Sequence, residues 1–286
     1  MVGKQHLTRL FFIASLFLFA SPVWGETFKL GILHGDQDVF AYEISVIKLG
    51  LANAPGNHKL ELVLLKNTAQ KRFLNLLEHG ERINLFFTGY SREREEQFLQ
   101  IDIPLTRGLL GHRIFITRQD TSLKNIESLA DLKKLWIGSG IGWPDTEIFK
   151  HAGFHVIQAS YENLWRMLAF KRYDLFNRGI NEAYVELEQQ RKAGYDFAID
   201  PYLSVTYPFD YFIYVNRRSE DLYHILKAGL EQAYKNGQFM EHFINHPTIA
   251  HALKISKMAE RRTFQIPNPL LSPRAQAIPD QYWHKF

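Results

Sequence analysis

The stretch from Gly138 to Thr146, Gly-Ser-Gly-Ile-Gly-Trp-Pro-Asp-Thr, carries the clearest chemical pattern of the sequence. It follows an apolar run at 135–137 and precedes a segment with helical composition, which predicts a strand, a tight turn and a helix start. Glycines allow close backbone approach, and free N–H groups at a helix start favour anions. We therefore predict a cradle for a carboxylate or phosphate, the alternative being an ordinary strand-to-helix turn. Trp143 breaks the dinucleotide-binding spacing, and the P-loop lysine is missing.

Other patterns give little support to an enzyme. The sequence contains no cysteine, no G-x-S-x-G and no H-E-x-x-H, which removes the common nucleophile and zinc-protease motifs. His242 and His246 are four residues apart and could share a helix face that binds Zn²⁺, but a third ligand would be needed. Surface histidines are the simpler interpretation. We predict no catalytic residue, no metal site and no cofactor.

The first residues have the pattern of a cleavable secretory signal peptide, predicted to cover residues 1–25. Lys4 and Arg9 precede an apolar run from Leu10 to Ala20, and small residues stand before a cleavage point after Gly25. The absence of cysteine excludes a lipoprotein anchor and disulfides. We expect a monomer in the periplasm. The formal charge of +4 comes from scattered side chains, so we expect no nucleic-acid partner.

The elements that must position the glycine stretch follow two series of strands and helices. In the first series, residues 28–33, 59–65 and 83–87 are predicted strands, and residues 42–54 and 69–78 are predicted helices. This β-α-β-α-β order is typical of a parallel α/β sheet.

A second series occupies the middle of the chain. Glycines and prolines at its ends place the domain boundaries near Arg118 and Thr206, which gives a first lobe of residues 26–118 plus 206–286 and a second lobe of residues 119–205. A chain that leaves one lobe and returns makes two crossing strands, which form a hinge. The predicted fold class is α/β with two lobes, and the cleft between them is the default ligand site.

Several short motifs, taken together, resemble a bacterial family. They are Gly89-Tyr90-Ser91-Arg92-Glu93-Arg94, Ile103-Pro104-Leu105 with Gly108, Ser139-Gly140-Ile141-Gly142, and Leu168 with Arg172 and Asp174. In this order they are similar to the motifs of the extracellular solute-binding proteins of family 3, across essentially the whole chain after the leader. The stretch 143–146 and the run 172–179 resemble a divergent subgroup. The resemblance implies a type II periplasmic-binding-protein fold with a two-strand hinge.

The resemblance also implies a ligand site. In amino-acid-binding members a first-lobe arginine binds the ligand carboxylate with two parallel hydrogen bonds. Arg94 corresponds to that arginine, and Arg92 is the rival; Gly89 and Ser91 would add backbone and hydroxyl contacts. The alternative is that both arginines lie on a solvated helix with neighbouring glutamates. The second lobe would contribute Ser139, Gly140, Ile141, Gly142 and Trp143.

One acid of the family pattern is missing. The position five residues after Asp174 is Gly179, with Arg178 beside it. Asp145 or Glu182 could substitute, but an α-amino acid ligand is thereby in question. Arg178 together with Arg94 would suit a more negative ligand, such as a dicarboxylate or an acidic peptide. Phe40, Tyr42 and Trp143 could clamp an apolar part of the ligand, although each is also a typical core residue.

The resemblance thus implies a periplasmic solute-binding protein. It would capture a small polar, carboxylate-bearing and amino-acid-like solute for ABC-type transport, close around the hinge, and be recognised by an inner-membrane permease. The alternative is a ligand-sensing periplasmic module that signals through a separate membrane protein.

Overall fold

A computed structural model describes residues 25–66 and 68–286. The predicted signal peptide, apart from Gly25, lies outside the described residues. Within those ranges no helix combines the length and the apolar character needed to cross a membrane.

The strands, in chain order, are β1 (Thr27–Ile32), β2 (Lys59–Leu64), β3 (Leu85–Gly89), β4 (Leu99–Ile101), β5 (His112–Arg118), β6 (Trp136–Gly140), β7 (His155–Ala159), β8 (Leu175–Gly179), β9 (Phe197–Ile199), β10 (Leu203–Thr206), β11 (Tyr211–Val215) and β12 (Arg262–Gln265). The helices are α1 (Ala41–Asn53), α2 (Gln70–His79), α3 (Arg92–Gln97), α4 (Leu129–Leu132), α5 (Pro144–His151), α6 (Tyr161–Ala169), α7 (Ile180–Lys192), α8 (Glu220–Lys235), α9 (Gln238–Asn245), α10 (Pro247–Ser256) and α11 (Pro273–Gln276).

The first lobe is built on a sheet with the strand order β2-β1-β3-β11-β4. β1 is parallel to β2 and β3, whereas β11 is antiparallel to both of its neighbours. All residues of β3 and β11 are buried, as expected for central strands covered on both faces. Phe73 of α2 stacks on Phe86 of β3 at 5.1 Å between ring centroids, and Gly80 ends that helix in the left-handed conformation.

The second lobe is built on a sheet with the order β12-β10-β5-β8-β6-β7, and β9 also pairs with β5. β6 is parallel to β7 and β8. Parallel strands place their carboxyl ends at one edge, where the turns into the following helices gather. In this lobe those turns are the β6–α5 loop and the start of α7.

The crossing between the lobes lies earlier than the sequence analysis placed it. The predicted boundary near Arg118 is at the far end of β5, a strand that pairs only within the second sheet. The chain therefore crosses before His112, through residues 106–111, and returns through residues 207–210. Asp210 joins both segments, since its carboxylate accepts hydrogen bonds from the Thr106 and Gly108 backbone N–H groups.

The C-terminal part also differs from the predicted assignment to the first lobe alone. β12 pairs with β10 in the second sheet, and α10 packs on α7 of the second lobe as well as on α1 and α9. The tail then returns to the first lobe, where Arg274 contacts Asp102 at 2.8 Å. The lobes are thus joined by four connections in the described chain, rather than by the predicted two strands.

Candidate functional site

A narrow cleft lies between the lobes, at the carboxyl ends of the parallel strands. The first-lobe lining is Leu33, His34, Asp36, Val39, Phe40, Gln70 and Gly89. The second-lobe lining is Arg113, Trp143, Pro144, Asp145, Tyr161, Arg178, Glu182 and Glu186. Leu110, Phe209 and Tyr211 come from or next to the crossing segments. The position agrees with the default site of a two-lobed protein.

Arg94 is the buried cation on the first-lobe side, only 5% exposed. Its guanidinium donates to Thr88 Oγ1 at 3.1 Å, to Gln70 Oε1 at 2.7 Å and to the Gly89 carbonyl. It also reaches across the cleft to the Gly142 carbonyl of the second lobe at 3.0 Å. All these acceptors are neutral. Burial lowers the pKa of Arg94 below its usual value, but a guanidinium remains charged at neutral pH.

The structure separates the two rival arginines and gives Ser91 a different role. Arg92 is exposed and donates to the Leu271 carbonyl of the tail at 3.2 Å. Ser91 is the N-cap of α3, where its hydroxyl accepts from the Arg94 N–H at 3.3 Å. Serine is one of the residues preferred at the N-cap of a helix, where its hydroxyl accepts from a backbone N–H of the first turn. Ser91 therefore positions Arg94. Neither residue is part of the cleft lining, which includes Gly89 and Gln70, two of the groups that Arg94 contacts.

Two backbone N–H groups of the β6–α5 loop, in the stretch predicted as an anion cradle, already have partners within the protein. The N–H of Ile141 donates to the Ala159 carbonyl at 3.1 Å, and that of Trp143 donates to the Gly140 carbonyl at 3.0 Å. The Ser139 hydroxyl is buried and lies 2.8 Å from Thr146 Oγ1, turned toward α5. These groups use their hydrogen-bonding capacity within the loop and its neighbours.

The anion at the start of α5 is the protein's own Asp145. Its carboxylate accepts from the Arg113 guanidinium at 2.6 Å and from the Tyr207 hydroxyl at 2.7 Å. Among the five predicted loop residues Trp143 alone lines the main cleft. Gly140 and Ile141 line an adjoining groove with it, and Gly142 contributes the carbonyl that Arg94 contacts.

Arg178 lines the cleft but is already paired. It makes two hydrogen bonds to Glu186, at 2.6 and 2.7 Å, and an ion pair with Glu182 at 2.9 Å. The Trp143 ring covers it, with the guanidinium carbon 4.7 Å from the ring centroid. Burial acts to lower the pKa of Arg178, but Glu182 and Glu186 outweigh it and raise the pKa well above its usual value.

The pairing of Arg178 removes the basis for a highly negative ligand. Four carboxylates line the cleft, those of Asp36, Asp145, Glu182 and Glu186, together with the two arginines Arg113 and Arg178. Burial raises the pKa of Glu186 to about 7, and Arg94 lies directly behind the lining, so the charges of these groups nearly balance near neutral pH.

Arg113 is a cleft residue that the sequence analysis did not identify. Its guanidinium, 1% exposed, donates to Asp145 and to Tyr207 Oη and lies 3.5 Å from Glu182. Tyr211 donates to the same Glu182. Burial acts to lower the pKa of Arg113, but Asp145 with its neighbours raises it above the usual value. An arginine directly before the apolar run Ile114-Phe115-Ile116 was the signal that could have revealed it.

The predicted aromatic clamp is only partly in place. Phe40 and Trp143 line the cleft, whereas Tyr42 packs away from it against His242 and His246. Those histidines have other partners: His242 Nε2 is 2.7 Å from Ser45 Oγ, and His246 Nδ1 accepts from the Thr248 N–H. His34 closes one side of the cleft, 3.2 Å from Glu162.

Comparison with solved structures identifies the architecture. An ancestral arginine-binding protein bound to arginine superposes with a TM-score of 0.57 at 18% identity, covering 77% of this chain and 97% of that one. A Salmonella typhimurium periplasmic binding protein with high arginine specificity gives 0.54 at 13% identity, covering 76% and 97%. An ancestral amino-acid-binding protein, described as a precursor of cyclohexadienyl dehydratase, gives 0.55 at 14%, covering 76% and 93%.

At these identities the likeness concerns the fold, and it confirms the predicted type II periplasmic-binding-protein fold. No protein-family model matches the sequence, and no curated protein is a match.

Proposed function

We propose that the protein is a periplasmic solute-binding protein that captures a small, amino-acid-like solute for ABC-type transport. This proposal rests on the burial of Arg94 among neutral hydrogen-bond acceptors. Arg94 is a buried cation whose acceptors are neutral oxygens, and a carboxylate is a stronger acceptor for a guanidinium than a carbonyl or amide. A solute carboxylate would replace the Gly142 carbonyl or the Gln70 amide at Arg94.

A small excess of carboxylates on the second-lobe wall supports a cationic group on the same solute. Asp145, Glu182 and Glu186 face the arginines Arg113 and Arg178 there, and Glu186, whose pKa burial raises to about 7, adds its charge as the pH rises above that value. An ammonium group that faces these carboxylates would reduce the excess of negative charge. A zwitterion with its carboxylate at Arg94 therefore fits the cleft better than the dicarboxylate or acidic peptide considered from the sequence.

The proposal is tested by binding measurements with a matched pair of arginine variants. A thermal-shift and calorimetric screen covers amino acids, dicarboxylates and small peptides; a solute at a hundred times its Kd stabilises the protein by about 2.7 kcal/mol. We expect Arg94→Lys to weaken binding of the best solute at least about 10-fold, because a lysine cannot make two parallel bonds. Arg92→Lys, on the exposed side of α3, is the control and keeps wild-type affinity.

Two results would contradict the proposal. One is the absence of a shift with every solute in the screen. The other is an equal effect of the Arg92 and Arg94 substitutions, which would assign the loss to α3 as a whole.

We infer binding without catalysis, although one fold neighbour is described as a precursor of a dehydratase. The carboxylates on the second-lobe wall are engaged with arginines and tyrosines, as Glu186 is with Arg178 and Tyr161. A bound solute should therefore be recovered unchanged after long incubation. The permease partner and the alternative of a sensing module are distinguished by whether the loaded protein stimulates a transport ATPase or a sensor kinase.

A further inference from the structure

We propose that Glu43 and Asn181 form a carboxylic acid–amide pair with two hydrogen bonds, which latches the two lobes together and is released when the acid ionises. The inference concerns the lobe interface itself and does not depend on which solute the cleft takes.

The two side chains come from opposite lobes. Glu43 is on α1 of the first lobe and Asn181 is in the first turn of α7 of the second lobe. They are 2% and 4% exposed. Asn181 Nδ2 donates to Glu43 Oε1 at 3.2 Å, so the amide and the carboxyl group are in direct contact across the interface.

The remaining oxygen of each group identifies the protonation state. Glu43 Oε2 and Asn181 Oδ1 are both buried, and neither has a hydrogen-bond partner among the described residues. Two acceptor oxygens can bond only through a hydrogen between them, and a protonated carboxyl group supplies it. One proton on Oε2 thus satisfies both oxygens at once, where leaving a buried polar group unpaired costs about 1–3 kcal/mol.

The surroundings of Glu43 favour the neutral acid. Glu182 of α7 and Asp210 of the return crossing are the charged groups that act on it, and both are acidic. Tyr42 on its own helix and Tyr211 of β11 are the neighbouring phenols. Burial is the largest cause that raises the pKa of Glu43, to about 8; its own backbone N–H and the Asn181 amide act in the opposite direction, and Glu182 and Asp210 add to the rise.

The helices α8, α9 and α10 cover the outer side of α1, and Tyr234 of α8 acts on the Tyr42 hydroxyl. The imidazoles of His242 and His246, on α9 and just before α10, face the Tyr42 ring, at 5.8 and 5.1 Å between centroids. Burial lowers the pKa of both histidines below the usual value, so they are neutral in the range where Glu43 titrates.

Gly179 provides the space for the amide. A Cβ at this position would lie 2.6 Å from Asn181 Oδ1, so any larger residue would push the amide from its place. This is the position at which the resemblance led us to expect an acid. The glycine that stands where the resemblance predicts an acid is therefore also the residue that leaves room for the Asn181 amide beside Glu43.

The sign of the pH effect follows from the raised pKa. Glu43 binds its proton more tightly in the closed protein, where its pKa is raised to about 8, than in an unfolded chain, where it is 4.5. The latch is therefore complete below the lower value, weakens as the pH rises, and is lost above the higher one. The closed arrangement should be favoured in acid and loosened in mild alkali.

The decisive variant is Glu43→Gln, since a glutamine amide can make the same two hydrogen bonds without titrating. The sequence has no cysteine, so Lys71→Cys and Lys150→Cys, exposed on opposite lobes, give unique spin-label positions. We expect the interlobe distance in the labelled protein to lengthen as the pH passes about 8, and to stay constant in labelled Glu43→Gln. Glu188→Gln, at an exposed position of α7, should keep the parental response.

A spectroscopic readout keeps the test independent of variant folding. The infrared carbonyl stretch of protonated carboxylic acids should include, in the parent, a band that disappears as the pH passes about 8 and that is missing from Glu43→Gln. Burial raises the pKa of Glu186 and of Asp210 to about 7, so their bands titrate at lower pH and remain in the variant. Absence of that band from the parent, or an unchanged pH response of the interlobe distance in Glu43→Gln, would overturn the proposal.

Discussion

Arg113 shows how one residue can organise a site without a visible motif. The sequence of β5 predicted only a strand, because its neighbours Ile114, Phe115 and Ile116 are apolar. Its partners Asp145 and Tyr207 are remote in sequence and meet it only when the second lobe and the return crossing have folded. Local patterns contain no information about such pairs, so this part of the site could not be predicted.

Removing Arg113 should cost much of the stability of the second lobe. Arg113→Met leaves the Asp145 carboxylate buried without its cation, while Glu182 keeps its pair with Arg178, and breaking a buried pair in this way costs about 3–5 kcal/mol. Urea unfolding monitored by circular dichroism measures the loss. Lys150→Met breaks an exposed pair with Glu147 and should change stability by less than about 0.5 kcal/mol. Similar losses in both variants would contradict the assigned role.

Arg94 was predicted as a ligand-binding residue from the resemblance, but the burial of its side chain could not be predicted from the sequence. The local sequence Arg-Glu-Arg-Glu-Glu is equally compatible with a solvated helix, which is the position that Arg92 in fact occupies. The difference is set by the N-cap at Ser91, which fixes the first turn of α3 and turns Arg94 toward Gly89 and the cleft.

At the scale of elements, the β6–α5 loop needs its glycines for two different reasons. A Cβ at Gly140 would lie 2.2 Å from the Trp143 ring, whereas Gly142 has open space but a φ of +79°. Gly140 thus makes room for the ring that covers Arg178, and Gly142 provides a left-handed turn. The sequence predicted a strand, a turn and a helix here, which the structure contains, but it could not tell these two roles apart.

The two glycines should respond differently to alanine. Gly140→Ala displaces Trp143 and should cost about 1–3 kcal/mol as overpacking, with a change in the near-ultraviolet circular dichroism of tryptophan. Gly142→Ala should cost about 1–2 kcal/mol through backbone strain and leave that spectrum unchanged. A spectral change in Gly142→Ala that matches the one in Gly140→Ala would refute the distinction.

Regular elements were predictable where one pattern dominated. The early strands β1, β2 and β3 and the helices α1 and α2 lie close to their predicted ranges because alternation or helical spacing is clear there. β12 was not predicted as a strand, because its residues, Arg-Thr-Phe-Gln, are mostly exposed and polar. Its pairing with β10 depends on a partner nearly sixty residues earlier in the chain.

At the scale of the whole molecule, the C-terminal segment ties the lobes more firmly than a two-strand hinge would. Arg261 fixes it to the second lobe by donating to the carbonyls of Ser256 and Leu203. Ser272 fixes it to the first lobe through Glu95 at 2.7 Å. Opening of the cleft must therefore stretch or slide this segment as well as bend the crossing strands.

Detaching the segment should widen the range of lobe motion. Arg261→Met leaves buried carbonyls without their donor, at a cost of about 1–3 kcal/mol, and should increase the radius of gyration in small-angle scattering. Lys254→Met, at an exposed position of α10, serves as the control. A scattering curve for Arg261→Met that superposes on that of the parent would show that the segment does not restrain opening.

The pairing of β12 with β10 also has a consequence for the synthesis and folding of the chain. β10 is flanked by β5 on one side, and its other edge is covered by β12 alone, at the register Leu203↔Arg262 to Thr206↔Gln265. An uncovered strand edge is a template for association with other chains. Until the last few dozen residues are available, a nascent or truncated molecule presents this edge to its neighbours, and aggregation becomes the competing outcome of synthesis.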